Sequence, residues 1–188
     1  MTENKKNNFD VKKILMNKAI SYLAQYSTTS KKLTLNLETF AFKKKFDLPV
    51  LTIEKEINDV VYKCKNLGYL DDETFAKNKL NKMLANGISL KQASNKLLQF
   101  GIKLDMAQSL IHKISSNDKN IELKSALKFA EKKRIGPFFK NSIAKGSKND
   151  FNKFMGIFAR AGFSYELSKQ VFNLEGGFEA EQLLSKLN

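Results

Sequence analysis

The stretch SLKQASNKLLQFGI, residues 89–102, decides how this chain folds. Ser89 offers a side-chain oxygen to the free amides of a first helical turn, and Gln92, three positions on, completes a capping-box pattern. Ala93 and Leu97 follow four and eight positions after Ser89, which puts them on one face of a helix. Gly101 stands where helices commonly end in a left-handed residue. The spacing predicts a helix from about Ser89 to Phe100, closed by a tight turn at Gly101–Ile102.

The same pattern occurs three times. A small residue followed by an apolar one appears at Ala41–Phe42, Gly101–Ile102 and Gly162–Phe163, with spacings of 60 and 61 residues. Twelve positions before each pair stand Thr29, Ser89 and Asp150, all good N-cap residues. The apolar positions four and eight after each cap are Leu33 and Leu37, Ala93 and Leu97, and Phe154 and Phe158. Around the middle copy, Phe75, Ala76, Leu80, Met83 and Leu84 trace a preceding amphipathic helix, begun by Asp71 and Asp72. Met106, Ala107, Leu110, Ile111 and Ile114 trace a following one. The first copy has a helix from about Val11 to Tyr26, a second from Thr29, and a third through Ile53, Ile57, Val60, Val61 and Cys64. The third starts near Ile121 and continues from Asp150 and from Ser164, after an irregular stretch around Gly136–Pro137.

The expected architecture is all-α: three tandem three-helix repeats forming an elongated curved array, a shape suited to binding along something long. The boundaries expected are a flexible tail over 1–10, a first repeat over 11–67 with an insertion at 43–51, a second over 68–117, a third over 118–175, and a short helical extension over 176–188. Two prolines and nine glycines in 188 residues agree with helices over a turn-rich β fold. No run approaches the roughly 20 apolar residues of a membrane span, and the start has no signal-peptide core. The expectation is a cytoplasmic, monomeric protein. Cys64 falls at helical spacing from Ile57 and Val60 and reads as a small buried apolar residue.

The formal charge of +14 comes almost wholly from lysine, the only arginines being Arg134 and Arg160. Such an excess suits a polyanionic partner, because phosphate contacts supply sequence-independent affinity. Lys124, Lys128 and Lys132 form a column on one helix face, continued by Lys133 and Arg134, and either a solvated face or a binding stripe accounts for it. With Lys140, Lys145, Lys148, Lys153 and Arg160 they make the third repeat the most basic, and Lys91, Lys96 and Lys103 extend the candidate surface into the second. Asp71 and Asp72 read as helix caps, since a single histidine and no Cys–His cluster leave nothing to complete a catalytic or metal site. His112 reads as a surface or boundary residue. Phe151, Phe154, Phe158 and Phe163 fit core or turn positions, and Phe138–Phe139 fits either a partner contact or a place beneath a loop. No cofactor, metal, catalytic residue or small-molecule substrate is expected.

GYLDDETFAKNKL at 68–80, followed by SLKQASNKLLQFGI, resembles the central signature of the RecX regulatory family. Ala19–Tyr22–Leu23 resembles that family's opening helix, and Lys132–Lys133 and FMGIFARAGF at 154–163 resemble its closing elements, so the likeness runs from about Val11 to Leu174. The first repeat departs from it: Ser27–Ser30 precede Lys31–Lys32–Leu33 where an Arg-Ser-x-x-Glu-Leu pattern is usual, and Ala41 replaces the turn glycine. The resemblance implies a non-enzymatic regulator that lies in the groove of the RecA–DNA filament and inhibits its ATP turnover, strand exchange and coprotease action in recombination and SOS repair. Single- or double-stranded DNA is a further candidate partner. The alternative, from the residues alone, is a helix-turn-helix DNA-binding protein acting without RecA, with Asp105, Gln108, Ser109, His112 and Lys113 on its reading helix.

Overall fold

The computed structural model describes the backbone of residues 2–139 and 148–187, with side chains at 10–139 and 150–187. Among them the chain is all-helical. The helices are α1 (Thr2–Leu23), α2 (Ser30–Lys44), α3 (Val50–Asn66), α4 (Asp72–Ala85), α5 (Leu90–Gln99), α6 (Leu104–Asn117), α7 (Ile121–Lys133), α8 (Lys148–Arg160), α9 (Tyr165–Phe172) and α10 (Gly177–Leu187), with a 3-10 turn at Gly136–Phe138. No described helix is long and apolar enough to cross a membrane.

The helices form two compact units. The first is Met1–Ala76 with Phe100–Ile102, and the second is Lys77–Gln99 with Lys103–Asn188. In the first, α1, α2 and α3 bury Leu15, Leu33, Leu37, Ile57 and Val60 to 1% exposure or less. Removing a side chain of that size from water contributes roughly 1.5–3 kcal/mol. Cys64 lies fully buried in this core, and desolvation pushes its thiol pKa up, as a packing role requires. In the second, α7 to α10 enclose Leu127, Ala130, Phe154, Phe158, Phe163 and Val171. Phe151 packs edge-on against Phe172, so all four phenylalanines expected inside are core or core-edge residues. Phe138 packs against the same core, whereas Phe139 is exposed.

Four local expectations need correction. α1 starts at Thr2 and not near Val11: residues 2–10 hold no glycine or proline to stop it, and the apolar periodicity marks only its packed part. The helix through Leu33 and Leu37 does not turn at Ala41–Phe42. α2 runs on to Lys44, Lys45 takes the left-handed conformation, and α3 already begins at Val50 behind Pro49. Ala41 is therefore a buried residue inside α2, away from the turn, and needs no glycine. Asp150 is not a cap but lies in the first turn of α8, where a carboxylate still complements the helix dipole.

The fourth concerns Ser89. Its hydroxyl accepts from the Gln92 amide at 3.2 Å, but the Gln92 side chain does not return to complete a capping box; its Nε2 donates to the Arg160 carbonyl at 3.1 Å. The Ser89 hydroxyl also donates to the Ala161 carbonyl at 2.6 Å. Thr29 does the same within the first unit, accepting from the Lys32 amide at 3.2 Å and donating to the Phe100 carbonyl at 2.6 Å. Each cap hydroxyl thus joins the start of one helix to the end of another, 71 and 72 residues away in sequence. The next amide along the first capped helix also finds a carboxylate: Ser30 donates to Asp72 Oδ1 at 2.7 Å. Both junctions bring in a glycine. A Cβ on Gly101 would stand 2.5 Å from Lys31 Cβ, and one on Gly162 would stand 2.8 Å from Ser89 Oγ.

Ser89→Ala should lower stability by about 2 kcal/mol in urea denaturation, because it removes a cap and leaves a buried carbonyl unpaired. Ser164 only caps α9, through the Leu167 amide at 3.2 Å, and Ser164→Ala should cost about 1 kcal/mol. Equal losses in the two variants would mean that the Ala161 bond contributes nothing.

Candidate partner-binding surface

The described basic residues singled out by sequence fall in the second unit, but they divide into two sets. The column on α7 is drawn onto its own unit. Lys124 Nζ lies 2.8 Å from Asp118 Oδ2, and this bond holds the Asp118 carboxyl below its ordinary pKa. Lys128 Nζ lies 3.0 Å from Glu131 Oε2, and Lys132 Nζ donates to the Asn86 carbonyl at 3.0 Å and to its Oδ1 at 2.9 Å. Local acceptors therefore relieve the repulsion expected of three aligned lysines, and Lys132 places a cation on a carbonyl at the end of α4.

The other set faces solvent. Lys133 and Arg134 close α7, Arg134 being its left-handed C-cap residue. Lys153 and Arg160 are exposed on α8, Lys91 and Lys96 on α5, and Lys103 at the N-cap of α6. The junction at Ser89 brings Lys91 and Arg160 to one place: a Cβ on Gly162 would be 3.4 Å from Lys91 Cβ, and Gln92 holds the Arg160 carbonyl. Lys140 and Lys145 lie outside the described residues, as does the Lys148 side chain.

Sequence reasoning passed over Lys31 and Lys32. At the corresponding junction of the first unit, Lys31 packs over Gly101 and Lys32 Nζ lies 5.6 Å from the centre of the Phe100 ring. The signal was available, since Lys31 and Lys91 each stand two positions after a cap. Asp71 and Asp72 are structural. Asp71 accepts from the Glu73 and Thr74 amides at 3.0 and 2.9 Å, and its bond to the Thr74 hydroxyl lowers its pKa. Asp72 holds the Ser30 amide and an ion pair with Lys65 at 3.3 Å. His112 is exposed.

No family model matches the chain. Over 122 residues it is 29% identical to the regulatory protein RecX of Myxococcus xanthus (strain DK1622), an overlap of 62% of this chain and 60% of that protein. The chain thus matches less than two thirds of its curated relative's length. Its fold matches the crystal structure of RecX from Lactobacillus salivarius with a TM-score of 0.66 at 19% identity, covering 94% of this chain and 98% of that one. A second crystal structure, of a regulatory protein RecX, matches with a TM-score of 0.66 at 16% identity, covering 87% and 72%. The chain is thus similar in sequence to one RecX protein and shares its helical fold with two solved structures of RecX proteins.

Proposed function

We propose that this chain binds the RecA–DNA filament and restrains it, lowering ATP turnover, strand exchange and coprotease action. The observation that carries the reading is the RecX likeness in both sequence and fold. The charge distribution supports it. Lys91, Lys103, Lys133, Arg134, Lys153 and Arg160 present exposed cations, and a long polyanionic assembly is the kind of partner that many weak cationic contacts on one body can hold. The binder itself needs no chemistry: inhibition follows if it favours one filament state. A monomer acting in the cytoplasm suffices for this role.

The test is the single-stranded-DNA-dependent ATPase rate of the cognate RecA as the protein is titrated in. Inhibition is expected at less than one chain per RecA protomer. A Lys133→Ala/Arg134→Ala/Lys153→Ala variant should need several-fold more protein, because it loses exposed cations without touching the ion pairs of α7. An unchanged rate, together with sequence-selective binding of duplex DNA alone, would replace this reading with the helix-turn-helix one, in which the exposed Gln108, Ser109, His112 and Lys113 of α6 face the bases.

A further inference from the structure

The corner between α2 and α3 is well packed inside and apolar outside. Lys45 ends α2 with its amide on the Ala41 and Phe42 carbonyls. Phe46 turns back edge-on to Phe40 with ring centres 6.3 Å apart, and Leu48 packs on the core of the first unit. Pro49 then starts α3, its carbonyl taking the Thr52 and Ile53 amides. A corner pinned in this way has little freedom left to lose on binding.

Its outer side chains are Phe42 at 85% exposure, Leu51 at 79% and Val50 at 71%. These are three of the four large apolar side chains exposed by more than 70% among the described residues. Singly exposed apolar residues need no explanation, but three within ten positions about one interhelix turn do. Lys43, Lys44 and Lys45 are exposed beside them, and Asp47 is the one carboxylate of the turn. The partner that matches must offer apolar surface with negative charge around it.

Nucleic acid matches poorly, because bases need a π face to stack on and two of the three apolar side chains are aliphatic. A bilayer matches poorly as well. Interfacial helices lay one continuous apolar face on the lipid, whereas these residues sit at the ends of two helices on either side of a turn. A protein groove suits both features, since an aromatic anchor with aliphatic neighbours and a charged rim is the usual make-up of a binding hot spot. We propose that Phe42, Val50 and Leu51, flanked by Lys43, Lys44 and Lys45, dock into a carboxylate-rimmed apolar groove on a protein partner. Resting on the function proposed above, we take that partner to be the protein of the recombinase filament.

Two double variants test this, Phe42→Ser/Leu51→Ser and Lys43→Glu/Lys45→Glu, with unchanged urea midpoints confirming their folds. Each is titrated alongside the unmodified chain onto immobilised RecA–poly(dT) filaments, bare poly(dT), and vesicles of three parts phosphatidylcholine to one of phosphatidylserine. Both variants should bind the filament tenfold or more weakly, with poly(dT) and vesicle binding unchanged. Filament binding equal to that of the unmodified chain overturns the inference and leaves the proposed function standing. An equal loss on bare poly(dT), or on vesicles, overturns it in favour of a nucleic-acid or lipid contact. If the unmodified chain does not bind the filament, the proposed function fails and the inference fails with it.

Discussion

Gly87→Ala is expected to destabilise the protein by roughly 3 kcal/mol, whereas Gly68→Ala is expected to cost only about 1 kcal/mol. Both glycines have positive φ, +79° and +74°, so both substitutions meet the left-handed penalty of an L-residue. Their surroundings differ. A Cβ on Gly68 meets nothing within 4 Å, whereas one on Gly87 would stand 2.6 Å from the Phe129 backbone nitrogen and 2.9 Å from its Cα. The obstacle is the backbone of α7, which cannot rotate aside as a side chain can. The approach is held by the Ser125 hydroxyl on the Ile88 carbonyl at 2.8 Å and by Lys132 on Asn86. Urea denaturation of the two variants gives the comparison. Equal costs would show that the α4–α5 turn moves freely away from α7.

Phe158→Ala is expected to lower stability by about 3–5 kcal/mol, a large share of the roughly 5–15 kcal/mol that holds a domain folded. Phe158 is fully buried and sits among three other rings: Phe154 stacked at 4.4 Å, Phe129 edge-on at 5.2 Å and Phe163 tilted at 5.2 Å. Truncation leaves a cavity that these rigid rings cannot collapse to fill, so the cavity penalty adds to the lost transfer energy. Phe42→Ala removes the same atoms from a site that is 85% exposed and should change the denaturation midpoint little. A small effect at Phe158 would mean that the aromatic core repacks readily.

These two predictions separate what is local in the fold from what is not. Ser89 as a helix cap, Gly101 as a turn residue, Leu33 and Leu37 as the buried face of α2, and Ala93 and Leu97 as that of α5 all follow from neighbours within a few positions, and all were legible in the sequence. Phe154 and Phe158 were legible as core by helical spacing, and Phe163 by its place at the turn. The basic composition, and the family likeness of 68–102 and 154–163, were legible in the same way.

The second partner of each local feature was not. That the Ser89 hydroxyl reaches the Ala161 carbonyl, that Gln92 holds Arg160 instead of closing a capping box, and that Gly87 lies against α7 depend on residues that are near only after folding. The lysine column shows the same limit for charge. Position along α7 aligns Lys124, Lys128 and Lys132 and sets Glu131 one turn from Lys128, but folding supplied the Asn86 acceptor that occupies Lys132 and brought Asp118 to Lys124, leaving Lys133 and Arg134 as the freer cations. The sequence by itself determined which segments are helical and which face each one buries, because turn chemistry and amphipathic period act over a few residues. Tertiary structure decided which donors meet which acceptors and which cations stay in solvent, because those energies depend on distances between segments that chain order does not specify.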